Sequence, residues 1–324
     1  MTEISRRTLL TGLALGLGLA VDCGNRTYRG PQRTLTIAAG DPGGVYMAFA
    51  ELLATEISTE EPRLRATAIP TNGSLDNLRL LQADEVDLAL MNTDSAQAVV
   101  NIGGSPAAPM PLRAIGRVYE DYLQLVVLST SPIRALADLA GRTLSLGADG
   151  SGAALTGARL LTAAGLTPSA PPSTVNVQHH QLSDAITALE AGHIDALFWS
   201  GGVSTPALAE LSARRSIRLL PLATALKALQ SAHGTVYQPI TVPAGVYGSA
   251  LEVATIGVGN LLICRPDTDP AITATVARVL VTHAARLVPQ QVLGTQFLDP
   301  LSLIATEGIP LHPGAMTAYR ALHG

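Results

Sequence analysis

The chain has 324 residues, 47% of them hydrophobic, 14% charged and only 3% aromatic, with a formal net charge of -4. At roughly 100–200 residues per domain this is enough for two domains, with cores built from Leu, Ala, Val and Ile, and it is not the profile of a disordered chain. One lysine (Lys227) and scattered arginines speak against a general nucleic-acid binder, which needs a basic surface, and two cysteines, Cys23 and Cys264, cannot make a disulfide framework.

Arg6-Arg7 precedes an apolar run from Gly12 to Val21 made only of Gly, Ala, Leu and Val, the layout of a signal peptide over residues 1–23. The run falls short of the ~20 residues of a spanning helix. With Ser5 before it and Leu9-Leu10 after it, the arginine pair resembles a twin-arginine export motif; a Sec signal holding two arginines is the alternative. Cys23 stands where a lipoprotein cysteine would sit, but Asp22 occupies a position expected to be small. A lipid on Cys23, a free exported protein and a chance cysteine all stay open. Residues 24–33 read as a polar linker. The expected location is exported, on the outer face of the cytoplasmic membrane or in the periplasm.

From Arg33 onward, strands alternate with helical patterns, which predicts an α/β fold with largely parallel sheets. Strands are expected at 34–39, 64–70 and 86–91. The helices that follow them carry Tyr46, Phe49, Leu52, Leu53 and Ile57, then Leu75, Leu78 and Leu81, then residues 95–100. Thr71-Asn72-Gly73-Ser74 is expected to cap the second of these. The middle of the chain repeats the pattern: strands at 144–147, 174–178, 194–199 and 217–220, helices at 153–164, 182–191 and near 205–213. Two strand-like segments, 122–128 and 255–264, bracket that unit and are candidates for crossings between two lobes. Helices are expected around 270–287 and 289–305, and then a tail from Ile309 to Gly314. The domains read as lobe 1, residues 34–121 with 262–324, and an inserted lobe 2, residues 122–261.

No Gly-x-Ser-x-Gly elbow, phosphate loop or His-Glu-x-x-His occurs. Gly257-Val258-Gly259 lacks the third glycine of a dinucleotide fingerprint, and His179-His180 is a lone pair. Hence no catalytic residue, metal ligand or cofactor is expected, and Cys264 reads as a buried structural thiol. What remains are glycine- and hydroxyl-rich loops at strand ends, at Gly43-Gly44, at Thr71 to Ser74 and at Gly150-Ser151-Gly152. There backbone N–H groups and helix dipoles can hold a carboxylate. Caps and tight turns are the plainer account of any single loop; their matching positions favour a ligand cleft.

An ordered set of segments resembles the TAXI family, solute receptors of tripartite (TRAP) transporters. The set runs from Gly40-Asp41-Pro42-Gly43-Gly44-Val45-Tyr46 through Gly73-Ser74-Leu75-Asp76-Asn77-Leu78, Val86 to Leu90 with Asp94, and Leu136 to Arg142. It continues through Gly150-Ser151-Gly152, Gly192 to Ala196, Thr205-Pro206-Ala207, Pro243 to Tyr247 and Ile309 to Ala315. The resemblance implies a two-lobed type II periplasmic-binding-protein fold and no enzyme activity. It also implies a glutamate-like or dicarboxylate ligand and delivery to a membrane permease driven by an ion gradient, by a monomeric receptor. The implied ligand-binding residues are Gly44, Tyr46, Asn72, Ser74, Asn92, Asp94, Ser151, Trp199, Ser200, Gly201 and Tyr247. Two positions depart from the family pattern: Ala153 where threonine is frequent, and Ser204 where proline is usual. A receptor for an ABC transporter or sensor kinase, an exported enzyme acting on a small acid, and a lipid-anchored interaction protein are the competing readings.

Overall fold

The computed structural model describes residues 28–101, 111–166, 175–289 and 298–323. The expected signal peptide, the lipidation of Cys23, part of the linker and part of the 289–305 helix lie outside them. The first unit runs β1 (Arg33–Ala38), α1 (Val45–Glu60), β2 (Leu64–Ile69), α2 (Ser74–Gln82), β3 (Leu88–Asn92), α3 (Thr93–Asn101) and β4 (Arg113–Leu128). Next come β5 (Thr143–Ser145), α4 (Gly152–Ala163), β6 (Asn176–Gln178), α5 (Leu182–Ala191), β7 (Ala196–Gly201), α6 (Pro206–Arg214), β8 (Ile217–Leu220), α7 (Leu226–His233) and β9 (Tyr237–Val242). The chain returns through β10 (Val253–Cys264) and ends in α8 (Pro270–Thr282), α9 (Pro300–Leu303) and α10 (Pro313–His323).

Local chemistry explains several boundaries. Helix α5 stops where Gly192 turns into the left-handed region at φ 74°, a cap that favours glycine because a Cβ is penalised there. Helix α8 starts at Pro270 behind Asp269, whose carboxylate accepts from the Ala271 N–H. All five residues of β3 are buried, as expected for a central strand covered on both faces.

Two four-strand blocks share one plan. In the first, β2-β1-β3 are parallel and β10 joins antiparallel; in the second, β6-β5-β7 are parallel and β4 joins antiparallel. Strands β4 and β10 pair with each other from Cys264↔Arg113 to Gly257↔Tyr122, so each passes from one block into the other. The cores divide at the same place. One pair of apolar clusters uses β4 up to Tyr119 and β10 from Leu261; the other uses β4 from Tyr122 and β10 up to Val258. At that seam the strands carry Glu120-Asp121 and Gly259-Asn260 in place of apolar side chains, and their register shifts after Asn260. The molecule thus has two lobes joined by two continuous strands.

The sequence underestimates these crossings. Strand β4 begins nine residues before the expected 122, because Arg117, Glu120 and Asp121 interrupt its apolar run. Helices α7 and α10 and strand β9 have no counterpart in the sequence reading, and the supposed tail leads into α10. Cys264 is fully buried in lobe 1, and burial pushes its thiol up to about 12.

Candidate functional site

A cavity lies between the lobes, at the carboxyl ends of the parallel strands, where open α/β sheets place ligands. Lobe 1 supplies the β1–α1 loop (Gly40, Asp41, Gly44) with Val45 and Tyr46, the β2–α2 loop from Thr71 to Ser74, and Asn92. Lobe 2 supplies Ala148 and Ser151 to Ala153, Gln181 and Leu182, and Trp199 to Gly201.

Lobe 1 holds its side of the cavity with buried amides. Asn77 Nδ2 donates to the carbonyls of Ala39 (2.6 Å) and Leu90 (2.7 Å), fixing the ends of β1 and β3, while Thr71 Oγ1 donates to Asn77 Oδ1. Ser74 Oγ accepts from the Asn92 N–H (3.0 Å) and donates to Asn92 Oδ1 (3.1 Å). Asn92 Nδ2 in turn donates to Asp121 Oδ2 (3.0 Å) and Asn260 Oδ1 (3.1 Å). Tyr46 donates its phenol hydrogen to Asn260 Oδ1, and from lobe 2 Ser200 Oγ donates to Asp121 Oδ2 at 3.1 Å. Burial pushes the Asp121 carboxyl up to about 7, although hydrogen bonds from Asn92, Asn260 and Ser200 favour its charged form. Burial also holds the Tyr46 phenol well above its usual range.

The lobes are closed on each other. The N–H groups of Leu75 and Asp76, in the first turn of α2, donate to the Gly150 carbonyl of lobe 2 at 3.0 and 3.1 Å. Asp41 Oδ2 accepts from the Leu182 N–H that opens α5 (3.0 Å), and Gln181 Nε2 donates to Asn72 Oδ1 (3.1 Å). Gly152 sits so near lobe 1 that a Cβ would lie 2.0 Å from Asn92 Oδ1 and 2.6 Å from Ser74 Oγ. Gly202 is similarly pressed by Val45, 2.9 Å from a would-be Cβ.

Nine of the eleven residues singled out in the sequence line this cavity: Gly44, Tyr46, Asn72, Ser74, Asn92, Ser151, Trp199, Ser200 and Gly201. Asp94 and Tyr247 are not on its wall. Asp94 is fully buried, and its Oδ2 accepts from Thr156 Oγ1 (2.7 Å), Tyr237 Oη (2.7 Å) and Arg159 Nη1 (3.4 Å), all in lobe 2. The carboxylate is drawn to that cation and those hydroxyls across the lobes. Tyr247 lies behind the wall: its oxygen accepts from the Thr205 N–H (2.7 Å) and donates to Gln124 Oε1 (2.9 Å). Thr205 Oγ1 then accepts from Trp199 Nε1, so Tyr247 braces the indole from behind. The expected cap of α2 differs too. Gly73 at φ 104° is the N-cap with no side-chain hydrogen bond, because Ser74 turns to Asn92 and Gly150 takes the N–H groups. Of the two departures from the family pattern, Ala153 is on the wall and Ser204 is not.

Sequence reasoning missed Asp41 and Gln181, which bridge the lobes, and Asp121 and Asn260, which sit at the seam. A charged pair at 120–121 inside an apolar strand was the available signal. Among the described residues, no Arg, Lys or His lines the cavity and no cluster of three potential metal ligands occurs.

Comparison with known proteins adds the following. The model of the NMT1-like family matches residues 37–321. A Bordetella bronchiseptica RB50 protein of solved structure is similar at 18% identity, covering 89% of this chain and 89% of that chain, with a TM-score of 0.51. A Xanthomonas citri protein solved with bound chloride ion is similar at 14% identity, 89% and 99% coverage and TM-score 0.51. The alkanesulfonate-binding protein SsuA from Xanthomonas axonopodis pv. citri, bound to MOPS, matches at 16% identity, 90% and 84% coverage and TM-score 0.49. At such identities the likeness to the Bordetella and Xanthomonas citri proteins speaks for the fold alone. With the strand order above, that fold is the two-lobed α/β architecture of type II periplasmic binding proteins.

Proposed function

The chain belongs to the NMT1-like family, and from that premise we propose that it is an exported solute-binding receptor that captures a small organic acid by hinge closure. Residues 34–121 with 262–324 act as one jaw and 122–261 as the other, with residues 1–23 directing export and Cys23 a candidate lipid anchor. The receptor delivers its ligand to a TRAP-type secondary transporter.

The observation that carries this reading is a cavity walled by both lobes, with a helix N-terminus on each side whose first-turn N–H groups are only partly engaged. The α1 N-cap, Gly44, makes no side-chain hydrogen bond to the first turn. At α4 the Ser151 hydroxyl engages only the Ala154 N–H, leaving those of Gly152 and Ala153 at the cavity. First-turn N–H groups and the helix dipole suit a carboxylate without a side-chain cation. Closure is favoured by whatever contacts the ligand makes to both lobes at once.

Mass spectrometry of ligand released from the purified mature protein identifies the acid, and calorimetry with that acid measures its binding. Tyr46→Ala and Ser151→Ala each weaken binding without unfolding the protein. Unchanged affinity in both variants rejects this cavity as the site, and failure of short carboxylic acids to bind rejects the acid-receptor reading.

A further inference from the structure

The floor of the cavity has a polarity that its composition hides. Four of its residues carry side-chain hydrogens, and every one of those hydrogens is engaged within the protein. Ser74 gives its hydrogen to Asn92 Oδ1, Asn92 gives its amide hydrogens to Asp121 and Asn260, Tyr46 gives its own to Asn260, and Ser200 gives its own to Asp121. The same oxygen, Asp121 Oδ2, accepts from both Asn92 Nδ2 and Ser200 Oγ, so Asp121 fixes the orientation of the Asn92 amide and the direction of the Ser200 hydroxyl. Ser200 Oγ therefore meets the cavity with lone pairs and no hydrogen. Among the described residues the only charged one on the wall is Asp41, and its oxygens are already engaged by the N–H groups of Gly43 and Leu182. Donors are found elsewhere, in the first turns of α1 and α4. The cavity thus presents donors at the first turns of α1 and α4 and, close to α4, a floor whose Ser200 Oγ is an acceptor backed by a buried carboxyl group.

We infer that Asp121 is a positioning residue that selects for a ligand with a hydrogen-bond donor beside its carboxylate, an α-amino or α-hydroxy acid. A plain dicarboxylate would bring its second charge against lone pairs and Asp121, where no cation among the described residues lines the wall to compensate it. This inference rests on the acid-receptor reading.

The test is calorimetry on the mature protein with matched sets of short α-amino, α-hydroxy and unsubstituted mono- and dicarboxylic acids. The wild type should bind at least one amino or hydroxy acid about tenfold or more tightly than its unsubstituted partner, the discrimination a charge-assisted hydrogen bond supplies. Asp121→Asn, which puts a donor behind the floor, and Ser200→Ala, which removes the acceptor, should each erase that preference while thermal melts report a folded protein. Ser200→Ala keeps the test usable should Asp121→Asn fail to fold. Equal binding of substituted and unsubstituted acids, or a preference that survives in the folded variants, overturns the inference and leaves the acid receptor standing. If no acid binds, the receptor reading falls and this inference with it.

Discussion

The lobes meet in two places that are built differently. Beside the seam, Asp94 is wholly buried against Thr156, Tyr237 and Arg159. At the mouth, the contacts are peptide groups and half-exposed side chains: Gly150 with α2, Asp41 with Leu182, Gln181 with Asn72. Separating the first would strand a buried charge, whereas the second can exchange its partners for water at small cost. On the proposed hinge closure, the contrast makes the seam the pivot, which holds, and the mouth the gate, which opens.

The comparison can be broken most strongly at the pivot. Asp94→Ala leaves Arg159 without its carboxylate and should destabilise the protein by about 3–5 kcal/mol in denaturant titrations. Asp41→Ala at the mouth should cost far less; equal losses would erase the distinction.

Asp121 gives the next effect, through pH. Its carboxyl is raised to about 7 by burial, against the hydrogen bonds that favour its charge, with Glu120 adding like-charge repulsion. The phenols of Tyr46 and Tyr119 stay neutral beside it. In the window between the ordinary carboxylate range and about 7, the folded state holds a proton that the unfolded state has lost. Stability therefore falls as pH rises through that window, by no more than about 4 kcal/mol. Melts of wild type and Asp121→Asn across this range should diverge accordingly; parallel curves would show that the group does not titrate there.

Gly152 sharpens the gate. In this arrangement of the lobes a methyl group there meets Asn92, so if the mouth opens as proposed Gly152→Ala should cost about 1–3 kcal/mol of ligand affinity and little thermal stability. A melt lowered by as much as the binding would place that contact in the resting fold instead. The smallest effect is expected at Tyr247→Phe, which strips the Thr205 N–H and Gln124 of a partner. A loss of about 1–2 kcal/mol, with altered Trp199 fluorescence, is the expected result.

Much of the fold was legible because its signals are local. Helix α5 matches its expected span to the residue, since Leu182, Ile186 and Leu189 repeat on one face and Gly192 ends it; β8 does the same. Strand β4 was not, because Glu120 and Asp121 make sense only once Asn92, Ser200 and Asn260 surround them. Two of those partners are 29 and 79 residues away. The site divides along the same line. Loops at strand ends announced Gly44, Asn72, Ser74 and Ser151, since position alone brings them to the cleft, whereas Tyr46, Asn92, Trp199, Ser200 and Gly201 were implied only by the family resemblance. Asp94 follows Asn92 by two residues but answers to Arg159 in the other lobe, and no spacing in the chain encodes that direction.

The placement of β10 has a consequence for how the molecule is made. In lobe 1 this strand lies between β3 and β4, so β3 and β4, both made early, have no edge to share until residues 253–264 leave the ribosome. Until then the nascent lobe carries an open gap at the centre of its sheet, and lobe 2 lacks the same strand as the partner of β9. Assembly of both lobes waits on one late strand. Folding is thereby coupled across the whole polypeptide, and the two jaws should melt as one cooperative unit.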